Sequence, residues 1–225
     1  MRRKKRALAV SVNRSMESIL ISLECIPVIK DISYIFAAIA TGCVAIKGLQ
    51  SWSRELKGKA DFDVARSLIR STYKLRDELR CCRSPFIRLD EFPEDYDRNK
   101  MTSKIEAEIE ADAYSFIYSN RWKPVETALQ DFESQALEAE ALWGTEFKSK
   151  TDALCHCAQD LWVALEADIN NKASNGKNFE CDPGYGKEIR SKIRATRYDK
   201  DCLTSNIDNA INKIETEIRP HFKRS

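Results

Sequence analysis

Cysteine and histidine are the residues whose spacing comes nearest to chemistry in this chain, and they crowd at Cys155-His156-Cys157, with Cys181 24 residues beyond Cys157 and Cys202 farther on. Zinc asks for four sulfur or nitrogen ligands in a tetrahedron. The flanking pattern is helical, and on a helix residues i and i+2 point roughly 200° apart, so Cys155 and Cys157 cannot face one ion. No metal site and no cofactor is expected. Cys155, His156, Cys157 and Cys181 are the nearest approach to a ligand set.

Nucleophilic catalysis needs a Cys or Ser beside a His base and an orienting group. The chain has two histidines, His156 mid-helix and His221 in the closing Arg-Pro-His-Phe run. Nothing in the spacing selects a Cys155 or Cys157 nucleophile with His221. Gly184-Tyr185-Gly186 lacks the third glycine and the helix start of a phosphate loop. Glu106, Glu108, Glu110 and Asp112 alternate round a helix and do not pair for acid–base work. The four tryptophans fall on separate helices, giving no platform for stacked bases, so nucleic acid is not an expected partner. Catalytic residues are therefore unassigned.

The elements that carry these residues are helices. Of 225 residues 32% are charged and 43% apolar, with 7 Gly and 6 Pro, a composition that favours helix and excludes collagen-like, Gly-rich and multi-span chains. From Asp61 an amphipathic stripe runs through Val64, Leu68, Thr72, Leu75, Leu79 and Cys82 until Ser84-Pro85 stops it. Ile105, Ile109, Ala113 and Phe116 mark a helix over about 103–119. Pro124 opens the next, with Val125, Leu129, Phe132, Ala136, Ala139 and Trp143 inward. Gly144 ends it, and Thr145 is the expected cap of a helix carrying Phe147, Leu154, Leu161 and Leu165. Residues 84–102 and 170–186 read as loops, and 187–197 fits either a short helix or an extended piece. Ile207, Ile211, Ile214 and Ile218 form the last stripe, stopped by Pro220. The expected fold is all-α, an antiparallel helical bundle over 53–225.

Ahead of it, Ile32 to Ile46 is fifteen residues without a charge. At ~1.5 Å per residue that is roughly 22 Å, short of a ~30 Å hydrocarbon layer. Lys47 can snorkel and Trp52 suits the headgroup level, so a helix over 32–52 reaches roughly 31 Å and spans once. Basic residues on the far side (Lys47, Arg54, Lys57, Lys59, Arg66) place the C-terminal part in the cytoplasm, across an inner membrane. Residues 1–31 form a mixed segment carrying Arg2-Arg3-Lys4-Lys5-Arg6. A start at Met16 would leave Lys30 as the one basic residue between there and the span and sharpen the topology. Ser33, Ala37, Thr41 and Ala45 recur every four residues, spacing that lets two membrane helices approach, so a homodimer through them is one expected association beside membrane lipid and an unidentified protein.

Eight cysteines in 225 residues fall below the density of a disulfide scaffold, and the adjacent Cys81 and Cys82 are poorly placed to bridge. Reduced thiols in the cytosol are expected. The net charge of +2 conceals segregation. Residues 47–88 carry eleven basic and five acidic side chains, 104–142 three and nine, and 185–225 ten and six. Successive helices of opposite sign are expected to pair with one another, and the basic block beside the span also suits an anionic leaflet.

Trp52 to Ile87, with its Leu56-Lys57-Gly58-Lys59 turn, Leu75-Arg76-Asp77 helix and Arg83-Ser84-Pro85-Phe86 end, resembles a set of uncharacterised bacterial proteins with one N-terminal membrane helix. Ile207 to Phe222 is similar to their C-terminal helix. The resemblance implies a bacterial, single-pass, mostly helical protein and brings no active-site residues. Together these readings point to a membrane-anchored helical interaction or scaffold protein without catalysis. The alternative is a soluble or peripheral hydrolase, nuclease or defence effector with a site assembled from distant residues.

Overall fold

A computed structural model describes residues 2–94, 96, 105–195 and 201–222, with side chains from residue 30 onward, those of 32 and 105 apart. The side chains of Arg2 to Arg6, Met16 and Cys25, residues 95 and 97–102 of an expected loop, 103–104 of an expected helix, and 196–200, which include the end of the undecided segment, lie outside that description. Six α-helices carry the chain: α1 (Arg2–Cys82), α2 (Ile105–Trp143), α3 (Lys148–Ala173), α4 (Lys177–Cys181), α5 (Pro183–Ile193) and α6 (Cys202–Ile218). Among the described residues there is no strand. The chain divides into two units, residues up to Lys57 and from Gly58 on.

In the first unit, residues 33–57 of α1 are exposed at every position. This is the apolar segment the sequence singles out, and from Ser33 the helix is long and apolar enough to cross a membrane, with none of its most apolar window buried. The expected break after Trp52 is absent. Leu56, Lys57, Gly58 and Lys59 are helical, so the anticipated turn is a correction. One glycine costs a helix only about 1 kcal/mol, which Arg, Glu, Leu, Lys and Ala around it readily offset.

The second unit is a helical bundle with one continuous core. The expected stripe of α1 is buried at Leu68, Thr72, Leu75, Leu79 and Cys82, and α3 packs against α2, α5 and α6. Phe132, Leu154, Leu161, Ile214 and Ile218 fill the middle, each at or near zero exposure. Burying one such side chain contributes roughly 1.5–3 kcal/mol, and this burial, more than helix propensity, holds the short α4 and α5 in place.

Two boundaries and one inward face differ from the sequence reading. Helix α2 runs unbroken through Pro124, where a new start was expected. Pro124 removes one N–H, but Arg121 and Trp122 before it and Val125 and Ala128 after it are anchored by packing, which outweighs one lost bond. The inward face of its first half is as expected at Ala113, but Ile109 and Phe116 are exposed and Ile117 and Tyr118 are buried in their stead. Thr145 does not cap α3. It begins a short 3-10 turn, Thr145–Phe147, after Gly144, whose φ of 94° ends α2.

The expected loop over 170–186 is mostly helical. Only Ser174-Asn175-Gly176 turns, with Asn175 and Gly176 at φ 59° and 83° in the left-handed region that closes α3. Asp182-Pro183, read as loop punctuation, is a helix start. The Asp182 carboxylate accepts from the Tyr185 N–H at 2.9 Å and Pro183 occupies the first turn of α5. Gly186 is needed for close packing there, because a Cβ on it would stand 2.7 Å from Cβ of Phe179. Residues 187–193, undecided from sequence, complete α5.

Candidate functional site

The residues nominated for metal or nucleophilic chemistry are not gathered. Cys155, His156 and Cys157 are all in α3, with Cys155 half-buried, His156 exposed and Cys157 buried, as the 200° separation requires; Cys181 is exposed at the end of α4. Among the described residues no three of His, Cys, Asp and Glu converge to hold an ion. Burial pushes the thiols of Cys155 and Cys157 up to about 11, so neither is a thiolate at neutral pH. Cys157 lies within electrostatic reach of Cys202, at the start of α6. His221 lies beyond the other end of α6 and is stacked on Trp143, ring centroids 4.1 Å apart. Seventeen helical residues of roughly 1.5 Å rise separate the two ends, too far for a base to reach the thiol.

Two arginines organise the end of α1 instead. Arg83, 2% exposed, donates from Nε to the Lys192 carbonyl at 2.6 Å, from Nη1 to the Thr204 hydroxyl at 2.8 Å, and from Nη2 to the Ser191 carbonyl at 3.1 Å and Asp201 Oδ1 at 2.7 Å. The Ala195 N–H returns a bond to the Arg83 carbonyl at 3.0 Å. The guanidinium thus sits at the negative C-terminal pole of α5, and its carboxylate partner caps α6 by accepting from the Thr204 N–H at 2.8 Å. Burial works to raise the Asp201 carboxyl, but the bonds from Thr204 and Arg83 together outweigh it and hold Asp201 below the usual carboxylate range.

Arg121 of α2 secures the chain that leaves α1. It donates to the Ser84 and Phe86 carbonyls at 2.8 and 2.7 Å and grips Glu91 with both Nε (2.5 Å) and Nη2 (2.9 Å). The hydrogen bond from Arg121 is the main cause that lowers the Glu91 carboxyl. Neither arginine figured in the sequence reading as a binding group. The legible signal was the Arg83-Ser84-Pro85 stop and the Asp201-x-x-Thr204 cap, each a local pattern whose long-range partner the spacing does not name.

An open polar groove of about 400 Å³ runs between α1 and α6, lined by Arg76, Ser205, Asn209, Asn212 and Glu215. Glu215 accepts from the Tyr73 hydroxyl at 2.8 Å. No thiol or imidazole lines this groove, so it offers polar contact without a nucleophile and base. The small residues Ser33, Ala37, Thr41 and Ala45 are exposed on α1, and the Thr41 hydroxyl returns to the Ala37 carbonyl at 2.8 Å. That bond satisfies Thr41 within the helix and leaves the row smooth. No protein-family model matches the chain, and no curated protein or solved structure is similar to it.

Proposed function

We propose that this protein is a membrane-anchored helical module that acts by contact with other proteins, with the α1 segment over 32–52 crossing the bilayer once. One observation carries the reading: Tyr34, Ile35, Phe36, Ile39, Val44, Ile46 and Leu49 stand exposed right round the helix, none of them facing a protein core. Exposed apolar surface of that extent is stable in hydrocarbon and not in water. The resemblance of Trp52–Ile87 and Ile207–Phe222 to single-pass bacterial proteins supports the same topology. The basic excess after the span orients the bundle to the cytoplasmic side, and the short link between α2 and α3 suits neighbours of opposite direction. A pair of copies would meet along Ser33, Ala37, Thr41 and Ala45.

Membrane fractionation tests the anchor. Full-length protein is expected to stay in the pellet through alkaline carbonate and to need detergent for release. Recovery in the soluble fraction would reject the span. A reporter at the C-terminus should be active only if folded in the cytoplasm, and crosslinking in intact membranes should return the partner.

A further inference from the structure

Just past the most apolar part of α1 the helix changes character without changing exposure. Taking ~100° per residue, Lys47, Arg54 and Lys57 fall within an arc of about 80°, with Gln50 and Ser51 in or beside it. Leu49, Trp52 and Leu56, at 3-4 spacing and 64, 60 and 49% exposed, occupy the opposite face. Glu55, the one acidic residue from 47 to 57, stands about 80° or more from each cation. Among the described residues Lys47, Arg54 and Lys57 make no ion pair, as Lys59, Arg66, Arg70 and Arg80 farther along α1 also do not, while Lys74, Arg83, Arg121, Lys150 and Lys172 each hold a carboxylate.

Resting on the anchor reading, we propose that residues 47–57 form an interfacial segment that selects anionic phospholipid. Leu49, Trp52 and Leu56 enter the boundary between headgroups and acyl chains, and Lys47, Arg54 and Lys57 contact phosphate-bearing headgroups on the cytoplasmic leaflet. Charge complementarity names the occupant. The cations pair with no carboxylate among the described residues, they continue directly from a lipid-facing apolar segment, and each is within about one Debye length of the surface that Trp52 marks.

The test uses full-length protein in vesicles of phosphatidylcholine mixed with phosphatidylglycerol, with one or the other lipid brominated. Trp52 fluorescence is isolated by subtracting the signal of Trp52→Phe. Brominated phosphatidylglycerol is expected to quench Trp52 at least about threefold more effectively per mole than brominated phosphatidylcholine. In Lys47→Gln/Arg54→Gln/Lys57→Gln the ratio should fall close to one, with quenching by phosphatidylcholine unchanged. Flotation of the same samples reads the anchor separately. Protein that fails to float with the vesicles defeats the anchor and this inference together. Protein that floats while Trp52 is quenched equally by both lipids, or by neither, leaves the anchor standing and overturns the lipid selection.

Discussion

Replacing Arg83 by Met keeps most of the aliphatic stem and removes a buried guanidinium that makes four hydrogen bonds. Asp201, whose side chain is 7% exposed, then keeps its bonds from Thr204 but loses its cation, and two carbonyls of the α5 terminus lose their donor. Removing one member of a buried pair typically costs about 3–5 kcal/mol. At roughly 2–4 °C per kcal/mol for a domain of this size, Tm should fall by about 6–20 °C. Urea unfolding of full-length protein carrying Trp52→Phe reads this, because Trp122, Trp143 and Trp162 then report the bundle alone. Asp201→Asn retains the α6 cap but leaves the 2%-exposed Arg83 guanidinium without its counter-charge, so it too should cost about 3–5 kcal/mol. In the double variant, Asn no longer strands a charge, so the combined loss should fall short of the sum by about 1–3 kcal/mol. An Arg83→Met loss under about 1 kcal/mol, or strict additivity, would refute the clasp as a coupled buried network.

Acid should weaken the bundle through Asp201 and Glu91. Both carboxyls titrate lower folded than unfolded, so their stabilisation is complete about one unit above the unfolded values of roughly 4, near pH 5 to 5.5, and is lost progressively as pH falls from there through the depressed folded values. Urea midpoints between pH 6 and pH 2.5 should show the fall, and a wild-type curve no steeper than that of Asp201→Asn would contradict it. Gly186→Ala should destabilise by about 1–3 kcal/mol, because its Cβ would meet Phe179 at 2.7 Å in a packed core; an unchanged urea midpoint would count against that packing. Alkylation at pH 8 followed by mass spectrometry should label exposed Cys81, Cys181 and Cys202 well before Cys82 and Cys157, whose burial holds their thiols at about 11; rapid labelling of Cys157 would reopen a nucleophilic role. Ala37→Ile should reduce crosslinked dimer in membranes if the small-residue row is a seam, and an undiminished dimer would discard it.

The periodic stripes were legible because burial and sequence share one period: Ile207, Ile211, Ile214 and Ile218 lie inward where the 4-3-4 spacing puts them. The errors came where a local signal had two meanings. Asp182-Pro183-Gly184 suits a loop and equally a helix start, and the outcome turned on Phe179 and Ile189 finding the core on either side. Pro124 suits a first turn, but Arg121 and Trp122 were already tied to Glu91 and Trp162, so the helix had reason to form ahead of it. Those ties span 30 and 40 residues, and no window of sequence contains both ends.

Charge shows the same limit from the other side. The excess of acid over 104–142 does meet base from neighbouring helices, as in Lys74–Asp131 at 2.7 Å and Lys172–Glu110 at 2.9 Å. Such partly exposed pairs contribute only about 0–1 kcal/mol each, so the block pattern itself supplies little of the stability. The energetically large pair, Arg83–Asp201, links two residues from the two basic blocks, where net charge predicts repulsion. Burial decides between them. The same guanidinium and carboxylate in water would hardly interact, and between the end of α5 and the start of α6 each is nearly without water and must have the other. Where burial is absent the pairing is optional: Lys74 holds Asp131 in the open, while Lys47, Arg54 and Lys57 pair with no carboxylate among the described residues.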